Sequence, residues 1–313
     1  METNNKLHIS VSPHFKSPRT TQSIMLDVLI ALAPAAIAGC FIFGWGAMLV
    51  IAATVAAAVL SEFVYCKITK KPNTAGDLSA AVTGLLLALN LPANIPVWQA
   101  VIGAVFAVVC VKCLFGGIGR NFANPAITAR IFMLIAFVEV GKSAAYPVWE
   151  TVGGATPLVL LSEGKKLDLL SLFIGDKGGA IGEVCILALL IGGIYLLARK
   201  VISWHAPVCY IATVFLMSLI REGFSLTGAL AWVLSGGVVL AAFFMATDYS
   251  TTPTTGLGKA VFGIGAGLLT VLIRFFGAYP EGASFAILIM NILTPYIDRF
   301  TARRPFGAGG VAK

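Results

Sequence analysis

Charged side chains are scarce in this chain. Asp, Glu, Lys and Arg together supply 12% of its 313 residues, against about 25% in a soluble domain. With 58% hydrophobic residues and a mean hydropathy of +0.92, a soluble globular fold is excluded. Histidine is scarcer, at three residues, and neither a histidine nor a second cysteine pair stands at ligand spacing from Cys110 and Cys113, so no metal centre is expected. Absent too are a catalytic triad, a Walker loop, a dinucleotide fingerprint following a strand, an iron–sulfur cysteine set and paired glycosidase carboxylates. No catalytic residue is therefore assigned. A secretory signal is not expected, because the leader before the first apolar run is long and polar and no convincing cleavage site follows.

Acidic residues in or near apolar segments are few: Asp27, Glu62, Asp77, Glu139, Glu183, Asp248, Glu281 and Asp298. Most fall within a turn or two of the expected interfaces, where water and snorkelling lower the cost of a charge. No chain of carboxylates crosses a bilayer, so this chain is not expected to pump ions alone. The net charge is +8, but the basic residues sit in short clusters beside apolar runs rather than on one face. That pattern reports membrane topology, not a nucleic-acid surface. The six cysteines lie in or beside apolar segments, which argues against a disulfide framework. Cys110 and Cys113 share a helix face and read either as a redox or metal-binding pair or as buried thiols.

What the chain does have is apolar runs of spanning length. A bilayer core admits helices because they satisfy their own backbone groups, so the expected class is an all-α polytopic membrane protein. Spans are read at about 23–43, 46–66, 77–91, 97–115, 125–140, 180–198, 206–220, 226–246, 259–277 and 281–299, each judged against the ~20 residues a crossing needs. The organisation is then a cytoplasmic segment 1–22, a first five-helix membrane half 23–140, an external loop 141–179, a second five-helix half 180–299 and a cytoplasmic tail 300–313. The third segment is short and ends in Asn90-Leu91-Pro92-Ala93-Asn94-Ile95-Pro96, a broken helix of the kind that lines a cavity or packs on protein.

Lysine and arginine placement orients the chain. With the N-terminus inside, the inner side receives Lys67, Lys70, Lys71, Lys112, Arg120, Arg199, Lys200, Lys259, Arg299, Arg303 and Arg304. The outer side keeps Lys142, Lys165, Lys166, Lys177 and Arg221, with Arg274 near that face. Both termini are thus expected in the cytoplasm. Five spans per half is an odd number, so the halves enter from opposite sides, as in inverted repeats.

Three polar stretches are candidates for chemistry. Gly153-Gly154-Ala155-Thr156-Pro157 leaves the Thr156 hydroxyl sterically open, and Pro157 prevents a helix from continuing back through it. It reads as an ordinary loop or as a modification site. In the stretch from Lys112 to Pro125, Gly116, Gly117 and Gly119 allow a tight backbone path while Arg120, Asn121 and Asn124 supply donors. It reads as a helix–loop–helix turn or as a holder for an anionic or ring-carbonyl ligand. Thr247 to Gly256, a run of hydroxyls beside Asp248, either lines a ligand or cation route or caps the following helix.

Together these stretches resemble a known family. Lys112-Cys113-Leu114-Phe115-Gly116-Gly117-Ile118-Gly119-Arg120-Asn121-Phe122-Ala123-Asn124-Pro125-Ala126, Met245-Ala246-Thr247-Asp248 with its Thr-Pro-Thr-Thr-Gly sequel, and Glu281-Gly282-Ala283-Ser284-Phe285-Ala286 through Thr294-Pro295 are similar to the NqrB/RnfD family. Its members are membrane subunits of bacterial Rnf-type ferredoxin:NAD oxidoreductases and of sodium-pumping NADH:quinone reductases. The resemblance runs from Ser12-Pro13-His14 to Asp298.

It implies FMN joined by a phosphoester to a threonine in a Ser/Thr-Gly-Ala-Thr motif outside the membrane. Here Gly154-Ala155-Thr156 matches, with Gly153 in place of Ser/Thr and Glu150 where Asp is usual. It further implies a bacterial inner-membrane location, other Rnf subunits as partners (a second covalent-FMN subunit among them), and room for a noncovalent riboflavin. The chain is then expected to relay electrons within an ion-translocating complex. The competing readings are a secondary transporter or channel of inverted-repeat fold, and a quinone-reducing subunit.

Overall fold

Capping side chains, prolines and glycines set the helix boundaries. The computed structural model describes residues 19–137, 145–149, 155–165, 167–277 and 282–302. The described elements are helical, apart from an isolated antiparallel bridge between Ala145 and Gly179. Most of the expected leader and tail, together with Glu139, Lys142, Glu150, Gly153, Gly154, Lys166 and Glu281, lie outside the described residues.

Helix α1 (Thr21–Phe43) starts where Thr20 accepts from Ser23 N at 3.2 Å, and Gly44 then turns the chain into α2 (Trp45–Ile68). Next come the short α3 (Ser79–Leu89), α4 (Val97–Val105) with a π-helical continuation over Phe106–Cys113, and α5 (Pro125–Ala136). Two single-turn-scale helices follow, α6 (Pro157–Ser162) and α7 (Leu169–Ile174). The second half holds α8 (Ile186–Ala198), α9 (His205–Arg221), α10 (Leu226–Leu234) and α11 (Val238–Leu240), which passes into a second π-helical stretch, Ala241–Met245. It closes with α12 (Gly256–Phe276) and α13 (Ala283–Thr301).

Helices α1, α2 and α12 are each long and apolar enough to cross a membrane, and the bent pair α10–α11 with its π-helical extension makes a fourth. Helices α3, α5, α8 and α9, and α4 with its continuation, are apolar but run only 10–17 residues. Bulky apolar side chains such as Phe41, Ile68, Ile220 and Phe276 are exposed on the outside of the bundle, where lipid rather than water must cover them. This is a helical membrane protein. Inside, α1 packs on α8, α2 on α3 and α4, α9 on α12, and α13 on both α5 and α12. Gly84 lets α2 and α3 touch: a Cβ there would stand 2.8 Å from Ala58 Cβ and 2.9 Å from Val55 Cα. Small residues at such crossings replace the hydrophobic driving force that lipid removes.

Two expected spans differ from the observed helices. The run 180–198 is helical only from Ile186, because residues 181–182 serve another helix: Gly182 N donates to Leu89 O at 2.7 Å and Ile181 N to Leu91 O at 3.0 Å. Those two bonds, with Asn90 Nδ2 donating to Leu86 O at 2.7 Å, satisfy the carbonyls freed where α3 stops short. The run 226–246 is likewise not one helix but bends by 67° at Ser235-Gly236-Gly237. Its freed carbonyls take buried cations. Arg274 donates to Trp232 O at 2.8 Å and Ser235 O at 3.0 Å, and Lys177 donates to Leu234 O at 2.6 Å. A cation suits a helix C-terminus, where the peptide dipoles leave partial negative charge.

Candidate functional site

The turn after the first π-helical stretch builds one wall of a cavity. Gly116, Gly117 and Gly119 have φ of 111°, 91° and 81°, left-handed values that glycine alone adopts without strain. They reverse the chain so that Asn124 can cap α5: its Oδ1 accepts from Ala126 N at 3.0 Å and Ile127 N at 3.4 Å, with Pro125 at the first helical position. Asn121 and Asn124 then line a cavity of about 240 Å³. Asn121 Oδ1 is buried there without a hydrogen-bond partner.

The opposite wall is the polar turn after the second π-helical stretch, which contributes Thr247, Asp248 and Ser250. Asp248 Oδ2 accepts from Ser250 Oγ at 3.0 Å and from Thr251 Oγ1 at 3.1 Å. This turn is stapled to α13: Asp298 Oδ1 accepts from Thr254 N at 2.9 Å, and Thr294 Oγ1 donates to Thr251 O at 2.8 Å. Thr255 accepts from Gly258 N at 3.0 Å and so caps α12. The cap read from the sequence is therefore present, and the turn also walls the cavity. Val82, Leu86, Phe243 and Phe244 make an apolar surface between the walls. Such a space suits a flat, largely apolar ligand with a few heteroatoms at its edge.

Arg120 is not part of that wall. It is exposed on the turn, with its Cδ against Gly116. Lys112, read from the sequence as an inner-side topology marker, is instead 2% exposed and forms a buried ion pair with Glu62, Nζ to Oε1 at 2.8 Å. Ser79 accepts from the same ammonium, and both Ser79 and Lys112 line the cavity. Glu62 also departs from expectation, being 1% exposed and paired rather than snorkelling. Arg274, expected near an outer face, is buried. An isolated acid in an apolar run signals that some partner exists, but which residue it is depends on helix packing. All six cysteines are free thiols, Cys113 buried and Cys110 half-buried.

Thr156 lies apart from the cavity-lining residues, at the N-cap of α6, with φ −61° and ψ 154°. Its carbonyl accepts from Leu160 N at 3.0 Å, while its side chain makes no capping hydrogen bond. Ala155 before it is exposed and Pro157 after it is buried. The half-buried hydroxyl is thus held in a fixed backbone without being used by it, which fits an attachment point for a phosphoryl group. Below it, Leu158 and Leu161 pack with Leu172, Ala231 and Trp232, and Leu158 rests against Gly236 at the bend between α10 and α11.

The fold and site together define a class: a helical membrane protein with a sharply bent helix and a polar-walled cavity beside π-helical turns. Within that class the chain belongs to the NQR2, RnfD, RnfE family, which it matches over residues 8–307. It is 46% identical over 313 residues to a subunit of the Na(+)-translocating ferredoxin:NAD(+) oxidoreductase complex of Acetobacterium woodii, spanning 98% of this chain and 97% of that one. It is 40% identical to a subunit of the proton-translocating ferredoxin:NAD(+) oxidoreductase complex of Clostridium ljungdahlii, over 97% of each chain. A third relative, from the ion-translocating oxidoreductase complex of Escherichia fergusonii, is 36% identical over 96% of this chain and 98% of its own.

Proposed function

We propose that this chain is the membrane subunit of an ion-translocating ferredoxin:NAD oxidoreductase complex, carrying FMN on Thr156 and a noncovalent flavin, riboflavin, in the cavity. The observation that carries the reading is the near full-length similarity to subunits of complexes so named. The unused Thr156 hydroxyl and the unpartnered Asn121 Oδ1 support it at the two sites. Bound flavin supplies the electron-transfer chemistry. The chain's own residues hold it and tune its surroundings. Thr156 holds the first flavin through its hydroxyl oxygen, next to Ala155 and the Gly154 of the motif. Asn121 and Asn124 offer amide groups to the second, and the apolar surface of Val82, Leu86, Phe243 and Phe244 excludes water from it.

The same reading gives the chain ten crossings in two inverted five-helix halves, with both termini cytoplasmic and Thr156 outside the inner membrane. Each half contains a π-helical stretch beside the cavity, Phe106–Cys113 in the first and Ala241–Met245 in the second. Asn90 at the end of α3 reaches Met245 Sδ at 3.9 Å, across the two halves. Asn124 and Asn291 also meet: with its amide oriented to satisfy both ends, Asn291 accepts from Asn124 N at 3.1 Å and donates to Thr251 O at 3.2 Å. Its partners are the other subunits of the complex, including one bearing a second covalent flavin. The relatives' names give different ions, sodium in one and a proton in the other, so kinship to these subunits does not choose the coupling ion.

Mass spectrometry of the intact purified chain tests the proposal. One FMN-phosphoryl adduct, mapped to the peptide carrying Thr156 and fluorescent after denaturing electrophoresis, is expected. An unmodified chain that moves solute by itself would instead favour a secondary transporter.

A further inference from the structure

Glu62 from α2, Ser79 from the start of α3 and Lys112 from the π-helical end of α4 meet at one point. Lys112 Nζ lies 2.8 and 2.9 Å from the two Glu62 carboxylate oxygens and also donates to Ser79 Oγ. Thr74 Oγ1 donates to Glu62 Oε1 at 2.7 Å, and Ser79 Oγ donates to Asp77 Oδ1 at 2.5 Å. The Lys112 ammonium, both Glu62 carboxylate oxygens and the Ser79 hydroxyl are each occupied by a neighbour, yet a buried ion pair seldom stabilises a fold more than apolar side chains of similar volume. Its placement suggests another use. Lys112 and Ser79 line the cavity, and Glu62 does not. The pair is therefore oriented, with its positive end at the cavity wall and its negative end behind.

We infer that Lys112 sets the redox potential of the planar heteroaromatic ligand bound in this cavity, acting as a fixed positive charge that Glu62 and Ser79 hold in place. The inference rests on the cavity holding a noncovalent flavin. Lys112 needs no hydrogen bond to that ligand, since its three protons already have acceptors in Glu62 and Ser79. It acts through its field, which is strengthened by the burial of the ammonium away from water. A positive charge beside the ring favours the reduced forms, which carry added electron density, and so raises the midpoint potential. Lys112 is thus a positioning residue for charge rather than a catalytic one.

The test uses the assembled complex and a dithionite titration, in which dithionite is oxidised to sulfite, the ring takes up the electrons, and no bond to the protein forms or breaks. Riboflavin released by acid precipitation is counted first. If wild-type complex releases none, the cavity reading falls, and this inference with it. If it is released, the double variant Glu62→Gln with Lys112→Met removes both charges without stranding either one in the interior. The expected result is a downward shift in the potential of the acid-releasable flavin. The covalent flavin on Thr156 should keep its potential and serve as the control. Lys112→Arg, which keeps the charge, should restore a potential near that of the wild type. A double variant with full riboflavin content and an unchanged or raised potential overturns the inference while leaving the cavity reading standing. So does loss of riboflavin from the double variant together with a Lys112→Arg protein whose potential falls.

Discussion

Lys177 Nζ donates to the Leu234 carbonyl at 2.6 Å, so a lysine between α7 and α8 closes the end of a helix that stops inside the protein. The side chain is 6% exposed, and burial pushes its ammonium down to about 8, with Arg274 pushing the same way and Glu183 and Cys185 pulling upward. Between about pH 8 and the ordinary lysine value of 10.5 the unfolded chain holds this proton and the folded chain has released it. A state that binds fewer protons gains as pH rises. The stability of wild type relative to Lys177→Met should therefore increase through that window, with a limiting slope of about 1.4 kcal/mol per pH unit, and be flat below it. Thermal unfolding of both proteins in detergent from pH 7 to 10 measures it; a difference that shrinks as pH rises would sink the assignment.

Thr156→Ala is expected to abolish the covalent flavin and the electron-transfer activity of the complex. The fold should survive, because the Thr156 side chain makes no capping bond, and losing such a group changes stability by about 0.5 kcal/mol or less. In-gel fluorescence, with assembly checked by native electrophoresis, separates the two effects. Thr128→Ala is the control, and fluorescence lost there as well would refute a site-specific attachment at Thr156.

Asn121 and Arg120 are neighbours with different fates. Asn121 faces the cavity with an unpartnered oxygen, while Arg120 is exposed. Asn121→Ala should lower the content of acid-releasable flavin by roughly 10-fold, as expected for a lost hydrogen bond of about 1.4 kcal/mol. Arg120→Ala should leave that content unchanged. Equal losses in the two variants would mean that the turn, and not the amide, matters.

Gly84→Val should destabilise the bundle more than an exposed substitution does. Its Cβ would stand 2.8 Å from Ala58 Cβ and 3.0 Å from Thr54 O, so α2 and α3 must part. Overpacking of this kind costs about 1–3 kcal/mol. A melting temperature within error of wild type would show that the helices can separate freely.

Sidedness follows from charge placement. A cysteine introduced at Lys165, which is exposed and pairs with Glu163 at 2.9 Å, should react with a membrane-impermeant thiol reagent in intact cells. One at Lys70, exposed after α2, should not. Reversed labelling would invert the orientation and move Thr156 to the cytoplasm.

Much of this molecule is decided locally and can be read in the chain itself. Apolar runs of spanning length, the stop of α3 at Asn90-Leu91-Pro92, the glycines at 116–119 and the Asn124-Pro125 cap act within a few residues of where they stand. Thr156 between Ala155 and Pro157 is equally local. The buried charges are not. Lys112 finds Glu62 across 50 positions, Lys177 reaches Leu234 across 57, and Arg274 reaches Trp232 across 42. A basic residue near an apolar run looks the same in sequence whether it faces headgroups or a helix end, because both reward a cation. Only packing decides, since a charge without water must find its partner wherever the helices bring one. For the same reason the run 226–246 reads as one span in sequence, while the bend at Ser235-Gly236-Gly237 and its two capping cations came from the tertiary structure.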